Sequence, residues 1–264
     1  MVMRYTSLVA LALWSTIAPC CADGPSSLFR DAYACGERGP SSVCVYGKIP
    51  AGKRVTVLAK GWKSPALPKE TFSNSNSDFQ NGIKTSTRLQ VAVPPPKDAF
   101  MIAVLADEKQ ISEIPLQEVQ DEAVAERISR YIKNANELNL DPNIRLLKTR
   151  LLRLSSTILL SESFLASPDD AAALEKELPT GCSGCESVPL LVGQDLDDLF
   201  KSARFTKANV ERTCGGINLA FTLSGRTYLL SHAFACESDS FSATLVHDLS
   251  GQKPKLVFNL SGGF

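Results

Sequence analysis

The sequence is poor in the residue types and motifs from which many catalytic sites are built. It contains two histidines, His232 and His247, which excludes a catalytic zinc site made of three histidines. It has neither the Gly-x-Ser-x-Gly turn of the α/β-hydrolases nor a glycine-rich phosphate-binding loop. The sequence therefore gives no support to a serine hydrolase of that type or to a nucleotide-binding enzyme.

The chain also lacks an excess of charge of either sign. Its 28 lysines and arginines balance its 28 acidic residues, and the basic residues form no runs. Because nucleic-acid affinity depends on clustered positive charge, we expect no nucleic-acid partner. Beyond the N-terminal segment no apolar run approaches about 18 residues, so we expect no membrane span.

Residues 1–22 have the pattern of a secretory signal peptide. Arg4 supplies the positive start, a short apolar run follows, and Ala22 is a small residue before a cleavage point. We therefore expect a periplasmic or secreted protein. Acylation of Cys20 or Cys21, as in a lipoprotein, is the alternative, which the preceding proline disfavours.

The cysteines predict a disulfide framework. The chain has eight, and loss of the signal peptide with its two cysteines would leave an even number in an oxidising compartment. Cys35 and Cys44 flank a Gly-Pro turn that places them opposite each other. Cys214 and Cys236 face each other across a hairpin if Leu223 faces Thr227. We therefore predict the structural pairs Cys35–Cys44 and Cys214–Cys236, with Cys182–Cys185 as a third pair. Pairing of Cys182 or Cys185 with Cys214 or Cys236 is an alternative.

Two alternative interpretations assign a chemical role to cysteines or histidines. Cys182 and Cys185 form a Cys-x-x-Cys motif, which is a candidate redox pair, although no helix follows it as in thioredoxin-like proteins. His232 and His247 share the apolar parity of two neighbouring strands and are predicted to lie almost opposite each other. We expect two core histidines that are satisfied by hydrogen bonds, and no cofactor. The alternative is that the two close imidazoles bind Zn²⁺ or Cu.

The hydrophobic pattern predicts an α+β protein dominated by antiparallel strands. We expect an N-terminal β region over residues 23–110, a long amphipathic bridging helix within 111–140, and a C-terminal antiparallel β module over 141–264. That module should be braced by disulfides and contain two short helices. Residues 142–154 are predicted as a strand, with helix as the alternative.

A long segment at residues 62–82 is predicted as a loop because it is rich in Ser, Asn, Pro and Lys and has no periodicity. Trp62, Phe72 and Phe79 would be its contact residues if it binds something. We therefore expect an exported, non-enzymatic binding or interaction protein that recognises an unknown protein or envelope ligand. The alternative is an envelope thiol-disulfide or metal-dependent enzyme that uses Cys182 and Cys185 or the histidine pair.

Overall fold

The computed structural model describes residues 28–35, 41–73, 85–97, 99–134, 143–155, 158–176, 186–192, 213–235, 242–251 and 254–262. Its first six strands are β1 (Phe29–Ala34), β2 (Ser42–Tyr46), β3 (Val55–Ala59), β4 (Trp62–Ser73), β5 (Thr85–Val91) and β6 (Met101–Val104). They form a closed barrel in the order β1-β2-β5-β4-β3-β6, in which every neighbouring pair is antiparallel.

Alternating apolar and polar residues build the barrel wall. In β5, Leu89 and Val91 belong to the buried cluster inside the barrel, whereas Arg88 and Gln90 have the outward parity. Strands β3, β4 and β5 pair in sequence, and β6 returns to lie beside β3, which is a Greek-key arrangement. The predicted Cys35–Cys44 disulfide is present and ties the end of β1 to β2, with a Cα–Cα distance of 5.2 Å.

The rest of the chain forms a large antiparallel sheet with two helices. Its strands run β15-β14-β13-β12-β11-β10-β9-β8, and β7 also pairs with β12. The elements are β7 (Ile111–Ile114), β8 (Gln117–Val119), α1 (Glu122–Asn134), β9 (Arg145–Arg153), β10 (Leu159–Ala166), α2 (Ala171–Leu174), β11 (Glu186–Val192), β12 (Thr213–Leu223), β13 (Arg226–Ala235), β14 (Ser242–Asp248) and β15 (Lys255–Gly262).

Two different strands pair with one of the two edges of β12. Its first half meets β11 at Cys214, and its last four residues pair with β7. In the described residues no strand pairs with this edge between those two points. The amide of Ile217 lies in this interval and donates instead to the Glu162 carboxylate, at 3.0 Å. A buried side chain therefore takes the place of a neighbouring strand.

One face of the sheet packs on the barrel. Phe29 of β1 is fully buried and makes edge-to-face contacts with Phe221, Tyr228 and Phe258 of the sheet, at centroid distances of 5.4–6.4 Å. Such aromatic pairs add to the stabilisation that burial provides. The barrel and the sheet thus share a single core cluster.

The opposite face of the sheet carries a second core. Leu152 and Leu160 from β9 and β10 pack against Ala220 and Leu229 from β12 and β13, so two parts of the sheet face each other. Helix α1 covers the other side of β9 and β10 through a separate apolar cluster centred on Ile128.

The structure confirms the mostly antiparallel β fold with few helices, and residues 145–153 form the predicted strand. The described disulfide, however, lies in the N-terminal region and not in the C-terminal module. The predicted bridging helix exists but begins at Glu122, because Asp121 caps its amides and the preceding residues form β7 and β8.

The prediction of a loop over residues 62–82 is wrong for its first part. Residues Trp62–Ser73 form β4, the longest strand of the barrel. Prolines are depleted within sheets because they cannot donate to the ladder. Here Pro65 is accommodated opposite Thr56, and Pro68 lies beside a break in the register with β5. Of the two predicted short helices, one is α2, and the other, near residues 195–200, lies outside the described residues.

Candidate functional site

An open groove of about 700 Å³ lies along the start of β3 and the middle of β4. We call it the barrel groove; it is lined by residues 49–56, 65–68 and 107–109. Its volume falls within the range of about 300–1,000 Å³ that is usual for ligand sites. Leu67 lies in its lining with 64% of its surface exposed, beside the exposed Pro65 and Pro68. The groove therefore offers apolar surface that the fold itself does not cover.

An ion pair and several hydrogen bonds connect the walls of the groove. Arg54 forms an ion pair with Asp107, which joins the two sides. Asp107 also begins a 3-10 turn at Glu108–Gln110, where its carboxylate accepts from the amide of Lys109 and its own amide donates to Gln110. A site whose walls are already ordered loses less conformational entropy when a ligand binds.

The groove continues past the Arg54–Asp107 pair. A more open depression of about 460 Å³ shares Arg54, Asp107 and Lys109 with it and is also lined by Leu105, Ala106 and Gln110. The charges along the walls have both signs. The two depressions therefore share three charged residues, and each also has apolar residues in its lining.

The predicted contact aromatics do not come together. Trp62 lies at the start of β4 and Phe72 near its end, which puts them roughly 30 Å apart at the rise of a β-strand. The guanidinium carbon of Arg88 lies over the ring of Phe72, 5.8 Å from the ring centroid. Trp62 lines a small cavity between the barrel and the sheet. Phe79 lies outside the described residues.

The expected opposition of the two histidines is wrong. His232 of β13 pairs with Thr244, and His247 of β14 pairs with Leu229. Because paired residues share a face and faces alternate along a strand, the two imidazoles project from opposite faces of the sheet. The prediction assumed a pairing of β13 with β14 that differs by three residues from the observed register. This difference places the two histidines on opposite faces. Within the described ranges, no three or more His, Cys, Asp or Glu side chains are grouped to hold a metal ion.

His232 lies at the contact between barrel and sheet. Its ring stacks on Phe100 at a centroid distance of 4.2 Å, and burial lowers its pKa to about 4. Its cross-strand neighbour Thr244 donates to Asp31 of the barrel at 2.8 Å. Burial raises the pKa of Asp31 to about 6, and the hydrogen bond from Thr244 opposes that shift.

The remaining cysteine predictions fall largely outside the described residues. Cys182, Cys185 and Cys236 are not among them. The backbone of Cys214 pairs with Phe234, so the register that would place it directly opposite Cys236 is wrong. The reason is the tight turn Ser224-Gly225, which pairs Leu223 with Arg226, followed by a bulge in β12. The bond between Cys214 and Cys236 stays a prediction.

Sequence reasoning missed the residues that form the groove. Leu67 lies between prolines in a segment without clear alternation, and such segments resemble loops. Arg54 and Asp107 are far apart in the sequence, and only the pairing of β3 with β6 brings them together. No local signal marks either residue.

Neither helix in the described part of the chain has the length and hydrophobicity that a bilayer crossing requires. No model of a known protein family, no curated protein and no solved structure matches this chain.

Proposed function

We propose that this protein is an exported, non-enzymatic binding protein whose barrel groove holds an extended, partly apolar segment of a partner polypeptide. The observation that carries the proposal is Leu67, which is 64% exposed in an open groove of about 700 Å³. Exposed apolar surface gathered in a concave, ordered site is typical of a binding surface, whereas single exposed apolar residues on a convex surface are ordinary.

The mixed polarity of the groove favours a polypeptide over a compact ligand. The groove and the depression beside it combine the apolar Leu67 with the basic side chains of Lys53, Arg54 and Lys109 and the acidic Asp107. An extended peptide offers apolar side chains and a polar backbone along one line, so it can meet both kinds of surface. A ligand of a single charge sign would gain less from walls that carry both signs.

The cysteines and the N-terminal sequence support export of the protein from the cytoplasm. The Cys35–Cys44 disulfide is compatible with an extracellular or periplasmic location. The signal-peptide pattern of residues 1–22 supports the same proposal. In that compartment the partner would be another exported or envelope polypeptide.

Site-specific photocrosslinking tests the proposal. A benzophenone amino acid placed at Leu67 in the producing cells should crosslink to a discrete polypeptide. The same probe at Leu256, which is 47% exposed on β15, is the matched control and should not. The substitution Pro68→Asp, which puts a negative charge at the neighbouring groove position, should reduce the crosslinking yield at position 67 several-fold. Equal crosslinking from both positions, or none from position 67, would contradict the proposal.

A further inference from the structure

Strand β4 is longer than the strand that pairs with one of its two edges. Strand β3 pairs with residues 62–66 of β4, whereas β5 pairs along residues 66–73 on the other edge. Within the described part of the chain, no strand pairs with β4 on the β3 side beyond Ala66. We call this side of residues 67–73 the β4 edge. It begins in the lining of the barrel groove, at Leu67, and continues beyond the groove.

Hydrogen bonds on the far side of β5 show how the backbone of that strand is oriented. The amide of Val91 donates to the carbonyl of Ser41, just before β2, at 3.0 Å. The carbonyl of Thr85 accepts from the amide of Gly47, just after β2, at 2.8 Å. Because backbone groups alternate in direction along a strand, the odd-numbered residues of β5 face β2 and the even-numbered residues face β4.

This orientation determines which backbone groups lie on the β4 edge. Arg88, an even-numbered residue of β5, is paired with Glu70, and Phe72 is paired in the same way two residues later. Glu70 and Phe72 therefore direct their backbone groups towards β5. Thr71 and Ser73 direct theirs to the opposite side, and both residues are exposed. The β4 edge thus presents an amide donor and a carbonyl acceptor at each of these two positions.

The start of the β4 edge is poorly suited to pairing. Pro68 has no amide hydrogen, Lys69 is exposed and charged, and the register with β5 shifts at this point. Proline, lysine and bulges are the features by which proteins prevent unwanted pairing at a strand edge. Residues 71–73 carry neither proline nor charge. We therefore expect a partner to pair with this last part of the edge.

We propose that the partner segment binds by strand addition to the β4 edge, an inference that rests on the proposed function. Its backbone pairs with Thr71 and Ser73, and one end of the segment lies beside Leu67 in the barrel groove. An extended polypeptide fits this edge because its backbone supplies donors and acceptors that alternate at the spacing of a strand. The main-chain hydrogen bonds provide affinity, and the contact with Leu67 selects an apolar side chain.

Hydrogen exchange of the full chain, followed residue by residue by NMR, tests whether the β4 edge is accessible. The amides of Thr71 and Ser73 should exchange on the order of a hundredfold faster than the amide of Glu70, which faces β5. Equal protection of Thr71 and Glu70 would show that the chain itself occupies the edge, and would overturn the proposal.

A heptapeptide selected from a displayed random library for binding to the full chain is the probe for strand pairing. Only every second amide of an added strand faces its neighbour. N-methylation of the peptide backbone should therefore weaken binding to the parent protein about tenfold or more at alternate positions, and have little effect at the positions between them. Fluorescence anisotropy of the labelled peptides measures these affinities.

A pair of protein variants tests the same contact from the other side. Thr71→Pro removes the amide donor from the β4 edge, where proline is tolerated because this amide makes no bond to β5. It should weaken peptide binding by a similar factor. Thr71→Ala is the matched control, because it also loses the hydroxyl contact with Thr87 but keeps the amide. This variant should bind the peptide like the parent protein.

The outcomes separate strand addition from the function on which it rests. A peptide that loses affinity for Leu67→Asp, but binds Thr71→Pro and Thr71→Ala equally and tolerates N-methylation at every position, would overturn strand addition and still support the groove as a binding site. A peptide that binds Leu67→Asp as tightly as the parent protein, yet loses affinity for Thr71→Pro, would support the pairing and contradict the proposed function of the groove.

Discussion

The Glu162 carboxylate lies where a side chain at residue 216 would begin. A Cβ added to Gly216 would be 2.6 Å from Glu162 Oε1, and Glu162 is only 1% exposed. The same oxygen accepts from the amide of Ile217, and the other oxygen forms an ion pair with Arg150. Glycine at position 216 therefore gives a buried carboxylate room to accept from the Ile217 amide at this edge of β12.

The first prediction is that Gly216→Ala destabilises the protein. The new methyl group would displace the Glu162 carboxylate and weaken its bond to the buried amide of Ile217. A hydrogen bond to a charged group contributes about 1.5–3 kcal/mol, so we expect a loss of that order in the free energy of unfolding, measured in urea. In the background of Glu162→Ala the same substitution should cost much less, since the clash is removed. Additive losses in the double variant would argue against this geometry.

The second prediction concerns Arg150. Burial raises the pKa of Glu162, while the charge of Arg150 and the Ile217 amide lower it. Arg150→Met removes one opposing influence, so the pKa of Glu162 should rise further. A carboxyl group whose folded pKa is raised loses stability as pH increases from its unfolded pKa through its folded pKa. The variant should thus lose more stability, by about 1–2 kcal/mol, at pH 8 than at pH 5.

The control for this measurement is Arg153→Met on the same strand, where the side chain is exposed. Its loss of unfolding free energy should be small and similar at both pH values. If Arg150→Met behaves like this control, the ion pair with Glu162 contributes little to the fold.

The third prediction concerns the pH dependence of the contact between barrel and sheet. The pKa of Asp31 is raised to about 6, so its contribution to stability falls as pH rises from about 4 to 6. The pKa of His232 is lowered to about 4, so its contribution falls as pH drops from 6.5 towards 4. The two effects oppose each other. Between pH 4 and 6, folding in effect moves a proton from the histidine to the aspartate.

Single substitutions should separate these slopes. Relative to the parent protein, Asp31→Asn should lose stability as pH is lowered from 6 to 4.5, and His232→Gln should lose stability as pH is raised over the same interval. After allowance for partial exposure, we expect differences of about 1–2 kcal/mol in unfolding free energy. Identical pH dependence of both variants and the parent would show that these groups do not titrate as described.

The fourth prediction concerns the disulfide. Cys35→Ala breaks the Cys35–Cys44 bond and leaves the buried Cys44 in place. Closure of so short a loop contributes about 2–3 kcal/mol in the chain-entropy model. We expect a loss of that size in urea unfolding. Cys44→Ala breaks the same bond and also removes buried volume. Its loss of unfolding free energy should therefore exceed that of Cys35→Ala by the packing contribution.

The sequence predicted those features that depend on local pattern. Alternation identified β5, and the segments on both sides of Ser224-Gly225 identified β12 and β13. The amphipathic stripe around Ile128 identified α1. Prediction failed where long-range pairing overrides local preference. Pro65 and Pro68 made β4 resemble a loop, although β3 and β5 hold it in place.

Register was the other source of error. A two-residue turn and a bulge moved Cys214 out of the expected alignment, and a similar shift placed His232 and His247 on opposite faces. A change by an odd number of residues reverses every side chain of a strand. Turn length is set by a few residues that the hydrophobic pattern does not reveal, so the geometry of a candidate site between strands was beyond prediction.

The division of the β12 edge has a consequence for the order in which the chain can fold. Strand β7 follows the barrel directly, but its partner β12 lies about a hundred residues later. The barrel strands are synthesised first and can close early. Phe29 and β7, however, cannot form their contacts until Phe221 and its neighbours have been synthesised. Such distant pairings slow folding. Until β12 is available, β7 and the apolar surface around Phe29 lack their partners, so we expect a chain truncated before residue 213 to associate incorrectly more readily than the full chain.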